Sequence, residues 1–191
     1  LLGETAYALS KLKGEQEILS SGLDVRVLRL ATVFGEGDPA NFSKLAKALH
    51  NKRFILPGKG TARKSVISVS KASEWIAQIS LMETVPHQVM NLGFQQAPTL
   101  AEICRDFEAV CGFSSPISVP LPLLRVLGWA GDVVSRIKPG FPFTSVVLGK
   151  LTRSTWVDCS RVSEVFQESQ TIDFLSELGQ AKEFYLGMAD E

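Results

Sequence analysis

The sequence predicts an α/β fold built on a parallel sheet, and three observations lead there. An opening helical pattern passes through a short turn into a β-branched, largely apolar run at 25–34. Shorter apolar runs at 54–56, 65–69 and 89–93 are separated mainly by amphipathic helical segments rather than by hairpin turns. The run at 25–34 lacks the polar alternation of a half-solvated strand, so it reads as a strand buried on both faces, the kind found in parallel sheets.

Each element has its own local signal. Residues from about 5 to 20 carry Ala8, Leu12, Glu15 and Leu19 at helical spacing, and Ser21-Gly22 ends the helix. Residues 25–34 then read as one continuous strand, stopped by Gly35-Glu36-Gly37-Asp38-Pro39. Phe42, Leu45, Ala46 and Leu49 mark a second helix, and 54–56 a short strand ended by Pro57-Gly58. The basic pair Arg63-Lys64 leads into a strand at 65–69. Ser70 is suited to cap the next helix, whose core stripe is Ala72, Trp75, Ile76 and Ile79. After the strand at 89–93, Thr99 and Glu102 form a capping box, with Leu100, Ile103, Cys104, Phe107 and Cys111 on one face and Gly112 at the end. A short strand at 117–119 precedes a helix at 121–137. The Pro/Gly-punctuated stretch 138–152 reads as irregular, 155–158 as a strand, 160–166 as a helix and 173–185 as a closing helix. Trp75, Trp129 and Trp156 are core candidates.

Composition narrows the class of function. The chain has 191 residues, 45% of them hydrophobic and 21% charged, enough for a sizeable core. Net charge is zero with acids and bases mixed, so no basic face advertises nucleic acid. Cys104, Cys111 and Cys159 have no metal-ligand spacing, and an odd, unpaired set suits a reducing, cytoplasmic setting. No run is long and apolar enough to span a bilayer, although the apolar stretch 121–134 would suit a lipid-like substrate or a membrane surface. The chain begins with Leu1, and the first helix follows at once, so the sequence reads as the downstream piece of a longer protein.

Tyr7 and Lys11 are the candidate chemistry. Four residues apart, they share one helix face. An ammonium beside a phenol favours the phenolate form, which turns an inert hydroxyl into a usable general acid or base. Taken alone, the pair also fits a half-buried tyrosine beside a solvated lysine. Arg63, Lys64, Lys150 and Arg153 by themselves read as solvated surface charges. His50 and His87 have no sequence partners for catalysis or metal, and no metal site is expected.

Taken together, the motifs resemble the C-terminal half of the extended short-chain dehydrogenases, in the NAD-dependent epimerase/dehydratase family acting on nucleotide sugars. TAYALSKLKGE is similar to that family's catalytic Tyr-x-x-x-Lys helix, and VRVLRLATVFGEG to its next strand. PGKGTARKSVISVSKAS, VMNLG and TWVDCSRVSEVF follow in the family's order. The resemblance implies a partial Rossmann domain at 1–35, joined by the strand 89–93, with 36–88 and 94–191 forming mainly a smaller α/β substrate-binding lobe. It implies that Tyr7 exchanges the proton of a sugar hydroxyl while Lys11 holds the nicotinamide ribose. The backbone of Leu30, Ala31, Thr32 and Val33 would touch the nicotinamide, with Thr32 also near the substrate. Arg63 and Lys64, joined by Lys150 or Arg153, would approach a nucleoside diphosphate, by implication UDP-linked.

The implied cofactor is NAD, with NADP as the alternative, and the implied assembly is a homodimer. Leu30 and Phe34 replace the family's proline and tyrosine, and Ser70-Lys71 stand where an acidic pair is common. No Gly-x-x-Gly-x-x-Gly occurs, so this stretch by itself is not expected to hold NAD well. Three functions stay open. The chain could be part of an epimerase or dehydratase that transiently oxidises a sugar hydroxyl. It could serve an NADPH-dependent carbonyl reductase of the same superfamily, acting on sterols, flavonoids or keto-sugars. It could also be a truncated, non-catalytic binding fragment. Substrate choice is expected in the loops 35–41 and 141–152.

Overall fold

A computed structural model describes residues 6–39, 41–137, 141 and 143–189. The expected helix start at residue 5, and residues 40, 138–140 and 142 of the loops, lie outside these. In chain order the elements are α1 (Ala6–Leu19), β1 (Val27–Leu30), β2 (Thr32–Phe34), α2 (Asn41–His50), β3 (Ile55–Pro57), β4 (Val66–Ser68), α3 (Val69–Leu81) and β5 (Val89–Leu92). They continue with α4 (Leu100–Cys111), β6 (Ile117–Val119), α5 (Leu121–Ile137), α6 (Ser145–Thr152), α7 (Ser160–Val165), a 3₁₀ turn (Gln167–Gln170), α8 (Phe174–Gln180) and α9 (Lys182–Ala189).

The strands form three parallel pairs, β1 with β5, β2 with β4 and β3 with β6. The expected continuous strand at 25–34 is therefore two strands, because the chain changes neighbour at Ala31. Ala31 N donates to Leu92 O (2.8 Å), and Thr32 N donates to Ser65 O (3.1 Å) on the other side. Phe94 N then donates to Val66 O (2.9 Å), closing the junction. Gly93 makes this approach possible: a Cβ there would sit 2.9 Å from Ala31 Cβ and 2.9 Å from Cys159 Sγ. Nor is the first strand buried on both faces. Val27, Leu28 and Arg29 are half-buried and Leu30 is exposed, and among the described residues β1 pairs with β5 alone.

Behind β2 and β4 lies an aromatic core. Phe34 stacks at a tilt on Phe174, with centroids 4.7 Å apart, and contacts Phe42 and Phe94. Phe107 joins this group to Tyr185 and Phe113, and Trp75 lies flat on Phe166. Rings in tilted or offset contact add to the burial of their large apolar areas.

Local capping explains several boundaries. Thr99 and Glu102 form the expected capping box on α4, and Gly112 ends that helix in the left-handed conformation. The expected Ser70 cap is displaced to Ser68, whose Oγ accepts from Lys71 N (3.1 Å) and donates to the buried Glu177 (2.5 Å). With the helix starting at Val69, Ala72, Trp75 and Ile79 face the core while Ile76 turns outward. Within 138–152 the irregular expectation fails over 145–152, where Thr144 caps α6 by accepting from Val147 N. Residues 155–158 are not a strand, since only Thr155 bridges to Lys64. The closing helix is two helices, broken at Ala181. Trp75 is fully buried, but Trp129 and Trp156 are exposed, so neither belongs to the core.

Candidate functional site

Helix α1 and the β1–β2 segment bring the first group of candidate residues together. Ala8, Leu12, Glu15 and Leu19 form the half-buried face of α1, as their spacing predicts. Arg29 grips Glu15 with both guanidinium arms, Nε donating to Oε2 at 3.0 Å and Nη2 to Oε1, and this pins the helix to β1. Hydrogen bonding from Arg29 holds the Glu15 carboxyl below its ordinary value. Tyr7 projects from the other face and is 72% exposed, with Lys11 Nζ 5.6 Å from the centre of its ring.

Two clefts meet at the carboxyl end of β1, where the chain passes into β2, and ligands of parallel α/β sheets sit at such strand ends. One, of about 600 Å³, is lined by Tyr7, Leu30–Val33 and the loop from Gly35 to Pro39. The other, of about 820 Å³, is lined by Arg29, Leu30–Thr32, Asn91, Lys150, Arg153 and the segment 154–158. Leu30, Ala31 and Thr32 line both, so this short stretch of backbone is a shared wall. Clefts of this size match those that hold small-molecule ligands.

The far ends of both clefts are fixed by groups that the sequence did not single out. Tyr185, buried on α9, accepts a hydrogen bond from Gly35 N (2.8 Å) and fixes the start of the loop. Burial pushes the Tyr185 phenol well above its ordinary value. Asp38 accepts from Phe42 N (2.7 Å) and Ser43 N (3.0 Å), anchoring the loop to the amino end of α2. In the larger cleft, Asn91 Nδ2 donates to Asp158 O (2.7 Å), and Ser65 Oγ accepts from Val157 N (3.0 Å). Asp38 beside the start of α2 was readable as an N-cap. The Tyr185 contact spans 150 residues and had no local signal.

The four candidate phosphate ligands separate. Lys150 and Arg153 line the larger cleft together. Lys64 does not line it: its Nζ donates to the carbonyls of Lys150 (2.9 Å) and Arg153 (2.6 Å), at the carboxyl end of α6. It thereby satisfies carbonyls that a helix end leaves open and fixes the turn carrying those two side chains. Burial lowers the Lys64 ammonium's pKa. Arg63 points elsewhere, donating to Ala97 O (2.9 Å) beside a separate cleft with Glu102 and Asp106. The remaining singled-out groups do structural work. Cys104 and Cys159 are buried thiols, pushed up by burial to about 12 and about 11. His87 bonds Glu164 at 2.8 Å. Among the described residues, no group of His, Cys, Asp and Glu is placed to hold a metal ion.

No family model matches the chain. Among curated proteins, it is 24% identical over 138 residues to an N-acetyl-α-D-glucosaminyl-diphospho-ditrans,octacis-undecaprenol 4-epimerase of Escherichia coli O157:H7, covering 71% of this chain and 42% of that protein. Solved structures match over nearly all of it. A UDP-glucuronic acid 4-epimerase from Bacillus cereus, in complex with UDP-glucuronic acid and NAD, aligns with a TM-score of 0.61 at 19% identity, over 95% of this chain and 52% of that one. A UDP-N-acetylglucosamine 4-epimerase from the same organism gives 0.64 at 15% identity, over 96% and 56%. A UDP-glucose 4-epimerase from Thermotoga maritima gives 0.60 at 17% identity, over 96% and 52%. The chain spans about half the length of these relatives, and over that half its fold is the Rossmann-like α/β fold seen in these UDP-sugar 4-epimerases.

Proposed function

We propose that this chain supplies the catalytic Tyr-Lys pair and the substrate lobe of an NAD-dependent nucleotide-sugar epimerase. The observation carrying this reading is the shared wall at 30–32, with Tyr7 bordering one cleft and Lys150 and Arg153 bordering the other. Such a wall lets a nicotinamide and a sugar meet edge to edge while a diphosphate reaches the two cations. The residues present fit the nicotinamide end of NAD, through Tyr7, Lys11 and the backbone of 30–33. The Gly-rich element that takes the pyrophosphate has no counterpart in this sequence. Bound NAD would supply the hydride acceptor for transient oxidation of a sugar hydroxyl.

In this scheme Tyr7 Oη takes the hydroxyl proton and later returns it, while Lys11 steadies the ribose. Lys150 and Arg153 hold the diphosphate, and Lys64 positions them. Support for this division of labour over direct contact by Arg63 and Lys64 comes from the carbonyl partners of both side chains. The Escherichia coli relative, named for an undecaprenol-linked diphosphate sugar, favours a second substrate class at the same cleft. The test is Tyr7→Phe in an NAD-competent protein carrying this chain. A fall in kcat of about a hundredfold or more is expected, with the calorimetric affinity for a UDP-sugar retained. Unchanged turnover would remove Tyr7 from the chemistry.

A further inference from the structure

Helix α5 has a surface unlike the rest of the molecule. Its inner face is narrow, formed by Leu124, Gly128 and Gly131, and the two glycines let α6 and its leading strand of chain come close. More than half of its circumference faces outward, and apart from Arg125 and Arg136 every side chain along that arc is apolar. Leu123, Val126, Trp129, Val133 and Ile137 are 44–85% exposed. Val146 on α6, which packs against α5, is 64% exposed as well.

The charges on this helix are not scattered. Its only acid, Asp132, is half-buried and accepts from Ser145 N (2.9 Å) at the start of α6. Both of its cations, Arg125 and Arg136, lie outward on one margin of the apolar arc, three turns apart and flanking Trp129. An apolar arc bordered by an indole and two guanidinium groups, with the one neighbouring carboxylate engaged by Ser145 N, complements an anionic bilayer surface. The apolar side chains enter the headgroup–acyl boundary, the indole sits at its level and the arginines meet lipid phosphates. Among the described residues no helix is long and apolar enough to cross a membrane, and this geometry calls for lying on one.

We propose that α5 seats the chain on an anionic lipid bilayer. Because α6 packs on α5 and carries Lys150 on the wall of the larger cleft, docking would bring that cleft to the bilayer, where a diphosphate sugar anchored by a lipid chain would project. That last consequence rests on the proposed function, whereas the docking itself does not.

The experiment is flotation of the 191-residue chain with vesicles of phosphatidylcholine containing roughly one third phosphatidylglycerol, at low salt. Co-flotation is expected, reduced by high salt and reduced about tenfold by Val126→Asp. Val126 is exposed, and an unchanged circular dichroism spectrum checks that the variant folds. Indole emission should shift to shorter wavelength on adding these vesicles, and Trp129→Phe should abolish the shift while leaving Trp156 in place. A chain that stays out of the vesicle fraction overturns the proposal, as does a Val126→Asp chain that floats equally well. So does sedimentation showing a self-associated chain that Val126→Asp dissociates and vesicles ignore, since a second copy would then cover the arc. None of these readouts depends on turnover, so docking and the epimerase reading fail separately.

Discussion

Helix α1 buries none of its 14 residues, whereas α4, with 12, buries Leu100, Ile103, Cys104 and Phe107 and is capped at both ends. The two helices are neighbours in sequence pattern but not in what holds them. α4 is fixed by an aromatic core and by its own termini. α1 rests on a thin half-buried stripe and on the grip of Arg29 on Glu15. The candidate chemistry rides on the weakly held helix, and the proposed substrate lobe is built on the firmly held one. Stability and activity should therefore respond to different residues.

The largest effect is expected in the core. Phe107→Ala removes a fully buried ring that touches Phe113, Phe174 and Tyr185. It should cost about 3–5 kcal/mol in urea unfolding, and a loss below about 1 kcal/mol would mean that the aromatic layer is not the anchor. Next comes Tyr185→Phe, which leaves the buried Gly35 N–H without its partner. We expect about 1–3 kcal/mol, together with faster amide exchange at Gly35.

Leu12→Ala, on the half-buried stripe of α1, should cost less than about 1.5 kcal/mol. In the same protein, amides of α1 should exchange well before those of α4. Smallest is the pH effect at Glu15. Its folded-state pKa is depressed by Arg29, so its contribution is fully present above the ordinary value of 4.5 and is lost as pH falls through the lower folded value. Glu15→Gln should flatten the acid limb of α1 exchange while leaving that of α4 unchanged, since Glu102 is held down separately by Thr99.

What could be read from the sequence follows the range of the interaction responsible. The α4 capping box and Gly112 were legible because donor, acceptor and turn lie within a few residues. The half-buried stripe of α1 was legible for the same reason. The break at Ala31 was not, because residues 25–34 have one continuous β-strand pattern and the change of neighbour is decided by strands more than 30 residues away. The cap on α3 moved from Ser70 to Ser68 because Glu177, brought in by α8, engages Ser68. Trp129 and Trp156 are large and apolar, yet composition does not say which large residues find cover. At the candidate site, the Tyr7–Lys11 spacing could be read from the chain, whereas Lys150 and Arg153 stood there as alternatives and share a cleft only in the fold. The role of Lys64 as an anchor for α6 depends on carbonyls that only the folded chain brings near.

The shared wall has one more consequence. Ala31 and Thr32 commit their amides to opposite neighbours, so the segment is clamped alternately on its left and right and has little freedom to bow. Two rooms separated by so thin a partition cannot be resized independently, and any displacement that widens one narrows the other. With no room for a Cβ at Gly93 beside Ala31 Cβ, a bulkier residue at position 31 would shift the partition. It would act as an exchange of volume between the two clefts, sensed by whatever occupies either of them.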